Sequence, residues 1–343
     1  MKNTKKILKF ILLSALLLFF MYLAFKDVDF ERLLLELSRT NYIYAIIGMF
    51  IGTYIGSYVR AWRWKYLLDP LKPNIKVYSL FPSVMIGYMM NALIPRGGEV
   101  ARPVLTAQKE GISKASTFGT IVVERIIDML AMFIVFGFCL FFFREKISIA
   151  FHPYNIEMIS LWSSLVILVF VFTIVLMIFN LEKTENIVEA ITKRILPAKF
   201  QTKIQKIFIS LISGFLFVKH PKSYFSIFFT SALIWTCYAV STYLSFFAFG
   251  MDLSFLDANL ILVIMSFAMT LPLPGNSAGS YYLFVKTALV SIYGINPETA
   301  IGYAIVCHLL GFLGIMVSGF YFSIKENYKF STGFDKDSKK YST

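Results

Sequence analysis

Charged residues are scarce in this sequence of 343 residues: Asp, Glu, Lys and Arg make up 15% of it, against about 25% in a soluble globular domain. Hydrophobic residues make up 57%, and the mean hydropathy is +0.69. The apolar residues lie in blocks long enough to cross about 30 Å of hydrocarbon, which argues against a soluble enzyme. The composition predicts an all-α, polytopic membrane protein.

Cysteine and histidine are also rare, with three of each. The cysteines lie singly in apolar segments and the histidines lie far apart, so we expect neither a disulfide framework nor a metal site. The phosphate-binding pattern GxxxxGK[ST] does not occur in the sequence. We therefore expect no resident cofactor and no catalytic residue, and the chain is not predicted to be an enzyme.

Six segments are long, mainly apolar and free of internal proline, which is typical of transmembrane helices. They are 7–25, 42–59, 117–143, 157–180, 224–249 and 297–324. Residues 181–223 combine lysines with isoleucines at helical spacing and predict an amphipathic cytoplasmic linker. The expected organisation is one membrane domain over 1–324, followed by a basic cytoplasmic tail at 325–343.

Two further apolar segments, 78–94 and 258–293, are interrupted by proline and glycine. The first ends at the stretch 95–99 (PRGGE), and the second is broken in its middle by 271–279. Proline and glycine at this density end a helix, and unpaired backbone at membrane depth is tolerated only against protein or water. We therefore expect both segments to be re-entrant and oppositely directed, as in an inverted repeat.

The net charge of +13 fits a membrane topology better than nucleic-acid binding. If both broken segments are re-entrant, the stretches predicted to be cytoplasmic hold 26 of the 33 lysines and arginines. That bias is what the positive-inside rule requires. The expectation is a multi-pass protein of the plasma (inner) membrane with both termini in the cytoplasm.

The densest group of polar residues follows the first break. It comprises Asn91, Arg96, Gly97, Gly98, Glu99, Arg102, Glu124, Arg125 and Asp128. Glu124 and Asp128 are one turn apart and share a helix face. A charge near the bilayer centre costs about 3 kcal/mol, so Arg96 and Arg102 are the expected counterions. The group is either a structural ion network or a headgroup site, where arginines bind phosphate and glycine amides assist.

The second break carries polar residues of a different kind. The candidates are Pro274, Gly275, Asn276, Ser277 and Gly279, with His308 in a later span. A kinked helix supported by its neighbours would explain them. So would a half-helix N-terminus, capped by Asn276 or Ser277, that points its amides at an anion. His308 fits hydrogen-bonded packing and a proton- or ligand-binding role equally well.

Arg60 and Arg63 lie where a predicted span ends, beside Trp62 and Trp64. Tryptophan and basic residues are typical of the membrane–water interface. We interpret these four residues as an interfacial anchor.

The two broken motifs resemble those of the lysylphosphatidylglycerol synthase transmembrane-region family, also called flippase-like integral membrane proteins. The matching elements are Asn91, the stretch 95–99, Arg102, the Glu124-Arg125-x-x-Asp128 helix start and the turn at 272–279. Asn276 stands where the family usually has glycine, and the acidic residue that often follows the turn is absent. The resemblance extends over nearly the whole chain.

The resemblance implies a membrane domain that moves phospholipid or other lipid-linked headgroups between leaflets, with these residues forming the headgroup site. It does not extend to the soluble aminoacyl-transfer domain of two-domain members, so a separate soluble transferase is a candidate partner. The alternatives are an intramembrane enzyme or an accessory subunit in lipid-linked sugar or aminoacyl-phospholipid metabolism. The interspersed arginines disfavour the enzyme, because they stabilise the ionised carboxylates and make them poor bases.

Overall fold

The computed structural model describes residues 2–150, 223–271, 273 and 275–327, with single residues between 158 and 205. Within that part the chain folds into helices joined by short loops and contains no β-strand. This confirms the predicted all-α class. The predicted span 157–180, the linker 181–223 and the tail 325–343 lie largely outside the described residues.

Eleven α-helices form the described part. They are α1 Lys2–Phe25, α2 Phe30–Arg39, α3 Tyr42–Met49, α4 Gly56–Leu68, α5 Val77–Leu93, α6 Gly97–Glu110, α7 Lys114–Ala150, α8 Tyr224–Ala248, α9 Phe255–Thr270, α10 Ala278–Tyr293 and α11 Pro297–Lys325. A π-helical segment, Phe50–Ile55, joins α3 to α4 in one long helix. Among these residues, four segments are long and apolar enough to cross a membrane: Tyr42–Leu68, Lys114–Phe143, Tyr224–Ala248 and Pro297–Lys325.

The first broken segment and the helix after it, α5 and α6, form an antiparallel hairpin (hairpin 1). At its open end, Ser79 Oγ donates to Glu110 Oε1 at 2.6 Å. Next to its turn, Asn91 Oδ1 accepts a hydrogen bond from Gly98 N at 2.8 Å. A Cβ on Gly98 would overlap the Gly87 carbonyl, so the two backbones are in direct contact there. The absence of a side chain on Gly98 lets the arms pack this closely.

The second broken segment forms another antiparallel hairpin (hairpin 2) from α9 and α10. Ser280 Oγ donates to the Ala268 carbonyl at 2.9 Å and joins the two arms next to the turn. Three successive residues of this turn have positive φ: Gly275 at +66°, Asn276 at +55° and Ser277 at +60°. The proline- and glycine-rich sequence therefore ends the helix where it was predicted to break.

The two hairpins enter the bundle from opposite ends of α11. Hairpin 1 has its open end at the Lys325 end, where Lys109 Nζ lies 2.7 Å from Glu326 Oε1. Hairpin 2 has its open end at the Pro297 end, where Leu289 packs in one cluster with Ala300. The turn of hairpin 2 reaches His308, and the residues of hairpin 1 near its turn pack against Ile315. Seven residues of helix span about 10 Å, so both turns lie near the middle of α11.

The long helix of α3 and α4 packs closely against α8 along a row of glycines four residues apart. A Cβ on Gly48 would lie 2.8 Å from the Ser241 carbonyl oxygen, and one on Gly56 would lie 3.0 Å from the Tyr238 ring. Small residues at this spacing allow transmembrane helices to approach closely. This contact places α4, with its two arginines, beside α7 and α8.

Candidate functional site

Glu124, on α7, lies at the centre of a buried group of charges and has no exposed side-chain surface. Arg60 Nη1, from α4, is 2.6 Å from its Oε1. Arg102, from hairpin 1, donates Nη1 to Oε1 and Nη2 to Oε2, each at 2.9 Å. One carboxylate thus joins hairpin 1 to two long membrane helices.

Asp128 lies one turn further along α7 and binds the same face of α4. Arg60 Nη1 is 2.7 Å from its Oδ2, and Arg63 Nη2 is 2.6 Å from its Oδ1. Arg63 Nη1 also donates to Ser231 Oγ on α8 at 3.1 Å. The predicted common face of Glu124 and Asp128 is therefore correct, and it is occupied by two arginines of α4.

Arg125 is the most exposed member of the group, with 40% of its side chain accessible. Its Nη2 is 3.2 Å from Glu124 Oε1, and its Nη1 is 3.7 Å from Asp128 Oδ2. The Asp128 side chain is 16% exposed, while those of the other three arginines are at most 6% exposed. The group therefore opens outward at Arg125 and Asp128.

These six side chains form the arginine cluster: Arg60, Arg63, Arg102, Glu124, Arg125 and Asp128. Four guanidinium groups face two carboxylates, so the cluster carries a net charge of +2. The Nε atoms of all four arginines are buried and have no hydrogen-bond partner in the described part of the chain. Buried cations ordinarily have counterions and satisfied donors, and within the described residues this cluster has more guanidinium donors than carboxylate acceptors.

Aromatic side chains enclose the cluster. The guanidinium carbon of Arg102 lies 3.9 Å from the centroid of the Trp64 ring, in cation–π contact. Trp64 is itself fixed by a 2.9 Å hydrogen bond from Nε1 to Thr120 Oγ1. The Tyr238 hydroxyl lies 3.4 Å from Arg60 Nη2. The arginines are therefore held in place by packing as well as by charge.

The structure separates the two arginines that were expected to be counterions. Arg102 binds Glu124 as predicted. The expectation for Arg96 is wrong, because Arg96 is exposed at the turn of hairpin 1 with φ of +61° and makes no ion pair among the described residues. Glu99 is half-buried and likewise forms no ion pair in that part of the chain.

The other counterions are Arg60 and Arg63, which were expected to form part of an interfacial anchor. That interpretation is wrong for these two residues, which are buried against α7. Their spacing of three residues placed them on one helix face, like Glu124 and Asp128, and this was the available signal. Nothing local in the sequence pairs residues more than 60 positions apart.

The amides of Gly97 and Gly98 donate hydrogen bonds within the turn of hairpin 1. Gly97 N donates to the Ile94 carbonyl at 2.8 Å, and Gly98 N donates to Asn91 Oδ1. Both glycines close the turn of hairpin 1. Asn91 thus has a structural partner at this turn.

The candidate residues of the second break make contacts with α1, α9 and α11. His308 Nε2 is 3.1 Å from the Asn276 carbonyl oxygen, and a Cβ on Gly279 would lie 2.9 Å from the Leu17 carbonyl of α1. Ser277 occupies the N-cap position of α10, but its hydroxyl donates to the Leu271 carbonyl instead of capping the helix. Gly275 lies at the tip of the turn, and Pro274 lies outside the described residues.

An apolar groove of about 560 Å³ runs along α7 and α8 beside the arginine cluster. Ile127, Ala131 and Trp235 are among the residues that line it. Ser231 also lines the groove and accepts the hydrogen bond from Arg63. The groove and the charged cluster therefore meet at Ser231.

Comparison with known proteins gives a consistent result. Residues 7–319 match the family described as the lysylphosphatidylglycerol synthase TM region. A UPF0104 membrane protein of Pyrococcus horikoshii is 23% identical over 301 residues, which cover 82% of this chain and 87% of that protein. A UPF0104 membrane protein of Methanothermobacter thermautotrophicus is 24% identical over 275 residues, which cover 75% of this chain and 78% of that protein.

A third UPF0104 membrane protein, from Methanocaldococcus jannaschii, is 28% identical over 134 residues. That match covers 38% of this chain and 39% of the relative's length. No solved structure matches the chain.

Proposed function

The chain belongs to the lysylphosphatidylglycerol synthase TM region family of integral membrane proteins, and from this premise we propose that it moves lipids between the two leaflets of a membrane. The observation that carries the proposal is the arginine cluster, a buried site with a net charge of +2 beside an apolar groove. A phospholipid combines the same two features, an anionic headgroup and an apolar chain. Guanidinium groups bind phosphate through paired donors, which suits them to the headgroup.

Each part of the site then has a role in moving the headgroup. Arg125, at the open side, would meet the phosphate first, and the buried arginines would hold it away from the hydrocarbon. Glu124 and Asp128 keep the arginines in place while the site is empty. The groove beside Ser231 would hold part of an acyl chain, so that only the headgroup needs a polar path.

The two hairpins supply an architecture that can open to either side. They enter from opposite ends of α11, and their turns lie near its middle. Interrupted helices in opposite orientations are the pattern in which transporters expose a central site alternately. Movement of hairpin 1 relative to α7 would change the Arg102–Glu124 contact directly.

The location we propose is the plasma membrane, with the Lys325 end in the cytoplasm. Lys72 and Lys109 both lie at that end, paired with Glu110 and Glu326. The loop before α11 lies at the other end, where Asp29 N is 3.3 Å from Glu298 Oε1. This arrangement agrees with the bias of basic residues toward the cytoplasm.

An intramembrane enzyme is less well supported by the site. A general base needs a carboxylate that is free to accept a proton, whereas Glu124 and Asp128 accept hydrogen bonds from arginines. If the protein is instead an accessory subunit of a soluble transferase, the cluster has no transport function and the isolated protein moves no lipid. Lipid movement by the isolated protein separates these alternatives.

The test is reconstitution of the purified protein into liposomes that carry labelled phosphatidylglycerol, lysyl-phosphatidylglycerol or a polyprenyl phosphate. Leaflet accessibility of each label is followed over time and compared with protein-free liposomes. We expect at least one lipid to exchange faster with the protein present. If the folded protein moves none of these lipids, the transport proposal is wrong and the accessory or enzymatic role is favoured.

A further inference from the structure

The net charge of the arginine cluster points to a more specific ligand: we infer that the site binds a dianionic phosphate monoester at the end of a lipid. This inference rests on the proposed function, because it names the substrate class of the same site. It starts from the surplus of two positive charges among the six buried or half-buried side chains.

Within the described part of the chain, this surplus is not neutralised. Among the described residues, Glu124 and Asp128 provide every carboxylate within 4.0 Å of the four arginines. Both carboxylates are already shared: Glu124 binds Arg60, Arg102 and Arg125. Two uncompensated charges in a low-dielectric site are costly, and an anion of charge −2 would remove most of that cost.

The unused donors fit the same ligand. Four buried Nε groups have no hydrogen-bond partner among the residues that the structure describes, in addition to the Nη atoms that already bind carboxylates. A terminal phosphate offers three oxygens and a charge between about −1.5 and −2 near neutral pH, whereas a phosphodiester carries one charge. The monoester matches the charge more closely than the diester and has more terminal oxygens to accept hydrogen bonds.

The same charges disfavour a cationic headgroup. A lipid that carries an amino group would place a positive charge next to four guanidinium groups. The carboxylates that could accept it are already bonded to Arg60, Arg63 and Arg102. We therefore expect aminoacylated lipids to bind more weakly than the monoester.

The test is a binding measurement on the full chain in detergent, independent of transport. The probes are short-chain phosphatidic acid (a monoester), phosphatidylglycerol (a diester), lysyl-phosphatidylglycerol and inorganic phosphate. At pH 8 we expect phosphatidic acid to bind about tenfold more tightly than phosphatidylglycerol, and lysyl-phosphatidylglycerol to bind most weakly. Equal affinities for monoester and diester would overturn the inference.

The inorganic phosphate probe tests whether the phosphate that binds belongs to a lipid or to a soluble molecule. We expect it to bind more weakly than phosphatidic acid, because it cannot use the apolar groove at Ser231. If it binds equally well, the ligand is a soluble phosphate and the lipid part of the inference is wrong.

The pH dependence adds a second criterion. A phosphate monoester loses its second charge below a pH of about 6, so its advantage over the diester should shrink at pH 5.5. The groups that face the arginines are Glu124 and Asp128 from α7, Tyr88 from α5 and Tyr238 from α8. A preference that is constant from pH 5.5 to 8 would contradict a dianionic ligand.

Arg125→Gln tests the charge count with little risk to the fold, because this arginine is 40% exposed. The net charge of the cluster falls to +1, so the preference for monoester over diester should fall about tenfold. Arg32→Gln is the matched control, since Arg32 is 76% exposed on α2 and, within the described part of the chain, forms its ion pair with Asp29. It should leave the preference unchanged, and an equal fall in both variants would overturn the assignment.

These measurements separate the two proposals. Selective binding of phosphatidic acid without any lipid movement supports the inference and contradicts transport. Lipid movement without a preference for the monoester supports transport and contradicts the inference about the ligand.

Discussion

Arg102 and Glu124 form a two-pronged ion pair, in which each guanidinium Nη atom lies 2.9 Å from a different carboxylate oxygen. The pair connects hairpin 1 to α7, and the face of the Arg102 guanidinium stacks on Trp64 at 3.9 Å. A phosphate presents oxygens in much the same geometry as a carboxylate. A phosphate bound beside Glu124 would be held by the same kind of contact, and this contact is where headgroup binding and hairpin movement would be coupled.

Glu124→Gln should destabilise the protein strongly. Among the described residues, the change leaves four arginines with Asp128 as their remaining carboxylate, and loss of one partner from a buried ion pair costs about 3–5 kcal/mol. The measurement is thermal or denaturant unfolding in detergent. Glu326→Gln is the control, because its partly exposed pair with Lys109 should be worth about 1 kcal/mol or less. Equal effects of the two variants would contradict a central role for Glu124.

Gly98→Ala should separate the arms of hairpin 1. The new Cβ would overlap the Gly87 carbonyl, which is backbone and cannot rotate away. We expect a loss of about 2 kcal/mol or more, from steric overlap in a packed contact. Gly311→Ala on α11 is the control, because a Cβ there meets nothing within 4 Å and should be neutral or slightly stabilising. Similar melting temperatures for the two variants would show that the arms do not touch as described.

His308→Ala should loosen the turn of hairpin 2. His308 Nε2 donates to the Asn276 carbonyl at 3.1 Å, a role that requires the tautomer with the proton on Nε2. We expect the amides of 275–281 to exchange about fivefold faster with deuterium, because one hydrogen bond is worth about 1 kcal/mol. His308→Gln retains a donor and should restore part of the protection. Unchanged exchange in His308→Ala would mean that the residue only fills space.

Acid should weaken the open end of hairpin 1 through Glu110. Burial alone would raise the pKa of this carboxyl, but the hydrogen bonds from Lys72 and Ser79 and the lysine charges outweigh it and lower the pKa below 4.5. Since the folded-state pKa is depressed, the stabilisation is present above about pH 4.5 and disappears as the pH falls through the folded-state value.

Glu110→Gln should therefore be less stable than the unmodified protein at pH 7, by about 1 kcal/mol or less. The two should converge as the pH is lowered below 4. Melting temperatures of both proteins over this range provide the measurement. A difference that persists in acid would assign the effect to packing and not to the charge of Glu110.

Much of the fold could be predicted from the sequence because its signals are local. Long apolar blocks predict membrane helices, and the glycines and prolines at 95–98 and 271–279 mark the turns of both hairpins. The shared face of Glu124 and Asp128 follows from helical periodicity alone.

The site could be predicted only in part because its partners are distant in sequence. Arg60 and Arg63 lie more than 60 residues before the carboxylates that they bind. The tryptophans beside them were sufficient to explain the two arginines as an interfacial anchor. Arg96 has the expected residue type, but the left-handed turn directs it to the surface. Likewise, the amides of Gly97 and Gly98 are used within the turn, which composition does not reveal.

The most direct test of a transport role for the arginine cluster is the rate of lipid movement in liposomes reconstituted with the unmodified protein, Arg125→Gln and Arg32→Gln. Equal incorporation and equal melting temperatures would establish that all three are folded. We predict that the unmodified protein and Arg32→Gln accelerate movement of an anionic lipid equally, and that Arg125→Gln is about tenfold slower. Equal rates for all three proteins, or no acceleration by any of them, would contradict a transport role for the arginine cluster.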